Sequence, residues 1–81
     1  MRVLLFAQAR EAAGHRRLTV AVPPGGRPLV ELLAELRTAY PGLRPLLRTC
    51  RFAVNGVYVD LAAARLADGD ELAVHPPFSG G

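Results

Sequence analysis

The sequence predicts an α+β domain, a mixed sheet of about five strands packed on one main helix. Three observations carry that expectation. Short apolar runs near residues 3–9, 18–22, 52–54, 57–59 and 71–75 have the density or alternation of strands. One stretch, 28–40, repeats leucine at helical spacing. A pair of neighbouring strands followed by a helix and then further strands is the order of an α+β roll.

Residues 1–9 read as the first strand, with Val3, Leu5 and Ala7 on one face and Leu4 and Phe6 on the other. Apolar residues on both faces suggest a strand inside the sheet. Residues 10–16 read as a polar connection containing Gly14. Leu18, Val20 and Val22 then alternate with Thr19 and Ala21, a half-buried strand that closes an antiparallel hairpin with the first. Pro23-Pro24-Gly25-Gly26 ends it, because proline donates nothing to a ladder. Pro28 suits the first position of a helix. The stripe Leu29, Leu32, Leu33, Leu36 and Tyr40 follows, with Glu31 and Glu35 off the stripe toward the positive end of the dipole. Pro41-Gly42 stops this helix, and Leu43, Leu46 and Leu47 suggest a short second helical segment reaching Cys50. Asn55-Gly56 between apolar runs is a strong hairpin signal. Asp68-Gly69-Asp70 is a second tight turn, feeding a last strand in which Leu72 and Val74 face inward.

A final strand lying parallel to the first, joined through the helix, is the β-grasp or ubiquitin-like arrangement. It divides the chain into a domain over residues 1–75 and an extended C-terminal tail over 76–81. Six extended residues reach at most ~20 Å.

Composition narrows the chemistry. Eighty-one residues make one domain with a modest core, and 51% apolar residues suffice for it. The single cysteine, Cys50, rules out an internal disulfide and a cysteine-rich metal site. All ten basic side chains are arginine, which excludes Schiff-base chemistry and a phosphate-loop lysine. The net charge of +3 invites a nucleic-acid partner, but the arginines are scattered and not interleaved with aromatics. No membrane-spanning run and no leader-like segment is read, so the expectation is a cytoplasmic protein with no nucleic-acid and no membrane partner.

The tail, Pro76-Pro77-Phe78-Ser79-Gly80-Gly81, holds the distinctive chemistry. Its working group is read as the Gly81 carboxylate. A carboxylate is a poor acyl electrophile until it is activated, and attack at its carbon is fastest without a neighbouring Cβ. Gly80 lets the backbone pass a channel too narrow for side chains. Pro76 and Pro77 lower the entropy lost when the tail enters a partner. Phe78 is a candidate anchor, with folding back onto the core as the alternative. Arg10 is a candidate contact for an acidic partner, with a solvated side chain as the alternative. Asp68 and Asp70 read as a structural turn. His15 and His75 show no metal-ligand pattern, and Cys50 reads as a small, partly buried thiol. No catalytic constellation emerges, and the chain is read as having no turnover alone.

Taken together, Val3-Leu4-Leu5-Phe6-Ala7 with Arg10-Glu11 and Gly14, Tyr40-Pro41, Ala53-Val54-Asn55, Leu66-Ala67-Asp68-Gly69-Asp70-Glu71, Pro76-Pro77 and the terminal Gly80-Gly81 resemble the small, sulfur-carrying subunits of molybdopterin synthase. The resemblance covers essentially the whole chain. Two positions depart from the family: His75 stands where an apolar residue is frequent, and Phe78 where valine or isoleucine is usual. The helix start also lacks the family's Ser or Thr cap. The resemblance implies that a ubiquitin-activating-like adenylyltransferase uses MgATP to adenylate Gly81, and that sulfur then displaces AMP to leave a thiocarboxylate. It implies a large synthase subunit as partner, in an assembly of two large and two small subunits. The tail, Ser79 included, enters that subunit and delivers sulfur to a cyclic pyranopterin monophosphate for molybdenum cofactor biosynthesis. His75, Arg10 and the tail residues are the implied partner contacts; covalent AMP and the thiocarboxylate are intermediates, and no cofactor or metal is permanently bound. A sulfur carrier for thiazole or tRNA thiolation and a lysine-conjugated protein modifier share this tail logic and stay open at this stage, with length favouring the synthase.

Overall fold

The first and last strands of the chain lie side by side. This computed structural model describes residues 1–77. In chain order its elements are β1 (Arg2–Leu5), α1 (Ala7–Ala13), β2 (Arg17–Thr19), β3 (Arg27–Pro28) and α2 (Leu29–Ala39). A 3-10 turn (Pro41–Leu43), α3 (Arg44–Leu47), β4 (Arg51–Val54), β5 (Val57–Tyr58), β6 (Arg65–Leu66) and β7 (Glu71–His75) follow. The main sheet has the order β2-β1-β7-β4-β5. β1 and β7 are parallel, with Val3 opposite Leu72 and Leu5 opposite Val74; the other three pairings are antiparallel. The α+β, β-grasp expectation holds.

One face of the sheet makes the core. Val3, Leu5, Leu72, Val74 and Phe52 are buried on it. The stripe Leu29, Leu32, Leu33 and Leu36 of α2 covers them, and Leu43, Leu47 and Leu66 fill the margins. Each fully buried leucine is worth about 1.5–3 kcal/mol relative to exposure, so this stripe is what attaches the helix to the sheet.

Five expectations are corrected. The first strand ends at Leu5 instead of Ala9, because Ala7 takes a positive φ of 48° and turns the chain into α1. Ala7, Gln8, Ala9, Arg10, Glu11 and Ala12 are good helix formers. Gly14 then closes the helix in the left-handed region at φ 79°, its N–H donating to the Arg10 carbonyl at 2.9 Å. Arg10 therefore stands exposed on a helix and not in a loop. Strand β2 stops at Thr19, although the Val20 N–H still donates to the Met1 carbonyl at 2.9 Å. Pro28 is extended, at φ −65° and ψ 143°, and precedes the first helical residue. It belongs to a two-residue ladder, β3 with β6, and the Leu29 N–H at the helix start donates to the Ala64 carbonyl at 3.0 Å. Finally, the sheet is covered on one face only: Leu4 is half-buried and Phe6 is 39% exposed.

Both predicted turns form. Asn55 and Gly56 have φ values of 50° and 84°, the pair of left-handed residues that a two-residue hairpin turn requires. The Asp68-Gly69-Asp70 turn is tied to it. Asp70 accepts from the Ala67 N–H at 2.8 Å and from the Asn55 side-chain amide at 2.9 Å. Asn55 Oδ1 accepts from the Glu71 N–H at 3.0 Å. These bonds hold the Asp70 carboxyl below the usual carboxylate range, the Ala67 N–H contributing most. The aspartates thus serve a turn, as their spacing predicts.

Candidate functional site

Strand β7 has a neighbour on each side, so its last residues leave from the middle of the sheet. Pro76 is buried and Pro77 exposed, which puts the step from packed body to surface between the two prolines. Phe78, Ser79, Gly80 and Gly81 lie outside the described residues.

The sheet face opposite the core gathers side chains around this exit. Alternation places Leu4, Ala53, Ala73 and His75 on it. Phe6 stacks on His75 with centroids 4.7 Å apart and ring planes within 7°. Tyr58 meets His75 edge-on at 6.0 Å, and the Arg51 guanidinium lies over the Tyr58 ring, 4.1 Å from its centre. His75 is thus held between two aromatics from β5 and the end of β1. Phe6 and Tyr58 are also exposed large hydrophobics, at 39% and 54%.

Arginines rim this patch. Arg10 and Arg16 share a shallow groove with Leu4, Phe6 and Arg17, and Arg51 stands opposite His75 in the β4–β7 register. Among the described residues none of these four arginines has an acidic partner; the ion pairs formed are Arg2 with Glu71, Arg27 with Glu31 and Glu35, and the Met1 amino group with Asp68. An apolar centre with an uncompensated cationic rim suits a partner surface that is apolar at its middle and acidic around it.

Of the candidate partner contacts, Arg10 and His75 come together on this surface. Phe6, Tyr58 and Arg51 join them, and sequence reasoning did not single these out. The available signal was an aromatic at an outward strand position, but placing it beside His75 needs the register of three strands. His15 lies elsewhere, edge-on to Tyr40 at 5.9 Å. Among the described residues no three His, Cys, Asp or Glu side chains group so as to hold a metal ion. Cys50 is partly buried, and burial raises its thiol above the ordinary value, which lowers its reactivity. Among the described residues no helix is long and apolar enough to cross a membrane.

The model of the ThiS family matches residues 3–81. A curated molybdopterin synthase sulfur carrier subunit from Chlamydomonas reinhardtii is 43% identical, the alignment covering 100% of this chain and 98% of the relative. Among solved structures, the small archaeal modifier protein 1 of Haloferax volcanii superposes with a TM-score of 0.80 at 31% identity, covering 94% of each chain. A chain in the complex of subunits 1 and 2 of molybdopterin-converting factor from Helicobacter pylori superposes with a TM-score of 0.72 at 28% identity, covering 99% of this chain and 96% of that one. Full-length matches of this kind place the chain in the ThiS family, among the molybdopterin synthase sulfur carrier subunits.

Proposed function

We propose that this chain supplies the sulfur in molybdopterin synthesis through the carboxylate of Gly81. The observation that carries the reading is that the family match continues through Gly81 itself, beyond a body with no catalytic constellation among its described residues. A carboxylate oxygen of Gly81 attacks the α-phosphorus of MgATP on a ubiquitin-activating-like adenylyltransferase, and pyrophosphate leaves. Sulfur then adds to the acyl carbon, AMP departs, and a thiocarboxylate remains. A large synthase subunit takes up the tail, and the sulfur passes to cyclic pyranopterin monophosphate. Water returns Gly81 to a carboxylate. The adenylate and the thiocarboxylate are both transient. Binding to a protein partner gives the sulfur a high effective concentration at the acceptor.

The body's part is docking. The Phe6–His75–Tyr58 patch lies beside the exit of β7, so a partner seated there receives the tail at a fixed starting point. Its arginine rim favours an acidic partner edge and faster association at low salt. The likeness to the H. pylori subunit complex supports a large-subunit partner of this kind. Because an archaeal modifier protein shares the fold at a similar TM-score, the fold alone does not separate a carrier from a modifier; the full-length relatives' shared description favours the carrier.

The test supplies the protein with its adenylyltransferase, MgATP and a sulfur donor, and reads the intact mass. The expected result is a product heavier by the exchange of one oxygen for sulfur, absent when Gly81 is deleted. A carboxylate that stays unmodified with every component present, or sulfur acquired by the Gly81-deleted chain, overturns the reading. Co-purification with a pterin-binding large subunit selects the synthase; co-purification with a tRNA-modifying enzyme selects the other carrier role.

A further inference from the structure

We propose that Asn55-Gly56, at the tip of the β4–β5 hairpin, is a spontaneous modification site: Asn55 deamidates to aspartate and isoaspartate, at a pace set by the clamp it shares with Asp70 and Glu71. Asn55 is the chain's one asparagine, and glycine follows it. Glycine has no Cβ, so its nitrogen can approach the preceding side chain. Both residues are exposed, and a Cβ built on Gly56 would meet nothing within 4 Å, so the outer side of the turn is open to water. The Gly56 N–H donates to no backbone carbonyl among the described residues. The attacking group of the reaction is therefore unencumbered, and its target is tethered. Asn55 Nδ2 donates to Asp70 Oδ1 at 2.9 Å, Asn55 Oδ1 accepts from the Glu71 N–H at 3.0 Å, and the Asn55 N–H donates to the Glu71 carbonyl at 2.9 Å. The two side-chain bonds aim the amide at the start of β7. Cγ reaches the Gly56 nitrogen only when both break, so the rate follows local opening of the clamp and not the dipeptide alone.

The step uses water and no other reagent. The Gly56 amide gives its proton to hydroxide and its nitrogen bonds to Asn55 Cγ. The Cγ–Nδ2 bond breaks, and the departing nitrogen takes a proton from water and leaves as ammonia. The cyclic imide then adds water at either carbonyl, giving aspartate or isoaspartate. Either product undoes the clamp. An oxygen replaces the donor that faced Asp70, so two carboxylates meet where a hydrogen bond stood. In isoaspartate the backbone also runs through the side-chain methylene, which lengthens a two-residue turn by one atom. The pairing of Val54 with Val57 and of Ala53 with Tyr58 depends on that turn. Tyr58 is the edge-on neighbour of His75, so the change reaches the aromatic face from the β5 side. Its effect on a partner rests on the docking role proposed above; the site and its pace do not.

The experiment incubates the intact chain in mildly alkaline buffer at physiological temperature, beside a synthetic peptide of residues 52–59, and follows both by mass and by peptide mapping. Conversion of the amide to an acid changes the mass, whereas an imide that forms and reopens at Asp68-Gly69 returns the original mass, so the two sites are told apart. The folded chain should convert about tenfold or more slowly than the peptide. Asp70→Ala removes the acceptor of Asn55 Nδ2 and should convert about tenfold faster than the parent. Gly25→Ala strains the chain away from the clamp and should keep the parent's rate. If Asp70→Ala does not fold, native-state exchange in the parent decides: protection of the Glu71 N–H should match the slowing of Asn55 relative to the peptide. The isoaspartate form, separated by chromatography, should lose that protection and shift the Tyr58 and His75 ring resonances. The proposal is overturned if the folded chain converts as fast as the peptide, or if Gly25→Ala accelerates conversion as much as Asp70→Ala. It is also overturned if Asp70→Ala folds and converts no faster than the parent, if Glu71 protection and conversion do not track each other, or if the isoaspartate form keeps the parent's Tyr58 and His75 resonances.

Discussion

Asp70 joins two turns that are distant in sequence, and its effect depends on ionisation. As a carboxylate it accepts from Ala67 and Asn55, and Asn55 in turn accepts from the Glu71 N–H. The folded state lowers its pKa from 3.8, so its contribution to stability is fully present above that value and is lost as the pH falls through the lower folded value. Asp70→Ala should cost about 1 kcal/mol at neutral pH. In urea titrations the gap between parent and variant should stay constant above the carboxylate range and close below it. A gap that persists in acid would mean that packing, and not the ionised hydrogen bonds, is responsible. The same residue explains why two separated sequence motifs, Ala53-Val54-Asn55 and Asp68-Gly69-Asp70-Glu71, stand out together: each supplies half of one clamp. That role was legible as a turn, but its partner was not, because the bond from Asn55 spans the β4–β5 hairpin and the start of β7.

At the scale of elements, the junction of β3, α2 and β6 shows what periodicity does not reach. The helix was legible from its leucine stripe. The two-residue ladder before it was not, since two residues carry no alternation. This ladder leaves no room at Gly26, which has a φ of 81° and where a Cβ would lie 2.5 Å from the Leu66 carbonyl oxygen. Gly26→Ala should therefore destabilise by about 2 kcal/mol or more, through strain and the displaced β6 backbone together. Gly25→Ala meets open space at a similar φ of 89° and should cost only the backbone strain, so the difference between the two in thermal melts isolates the contact. Helix α1 was missed for another reason. It starts at a left-handed alanine, Ala7, a conformation with no sequence signature, and Gly14 read as a loop residue when it is a helix cap. The docking face follows the same pattern. The terminal glycines are what the sequence offers toward the proposed chemistry, whereas the Phe6–His75 stack exists only once β1 and β7 are set in register. Phe6→Ala should weaken large-subunit binding by about 1–2 kcal/mol, with the fold retained, because Phe6 is on the open face; calorimetric titration measures it.

For the molecule as a whole, the arrangement of the sheet predicts a gradient of stability. β7 is bonded on both sides, to β1 and to β4, while β2 and β5 are edges. Native-state hydrogen exchange should find its slowest amides in β7 and β1 and its fastest in β5 and the outward groups of β2. Slow exchange at β5 with fast exchange at β7 would contradict the sheet order. The general architecture was legible because apolar strand runs stand at residues 3–5 and 72–74, on either side of a periodic helix. The parallel union of those runs has a consequence for synthesis. Because β7 follows every other strand in the chain, β1 waits without its central neighbour until residues 71–75 exist, and contacts so far apart in sequence form slowly. A chain that stops short of β7 gains neither a closed core nor an aromatic face. Closure of the core and assembly of the aromatic face thereby wait on one and the same strand.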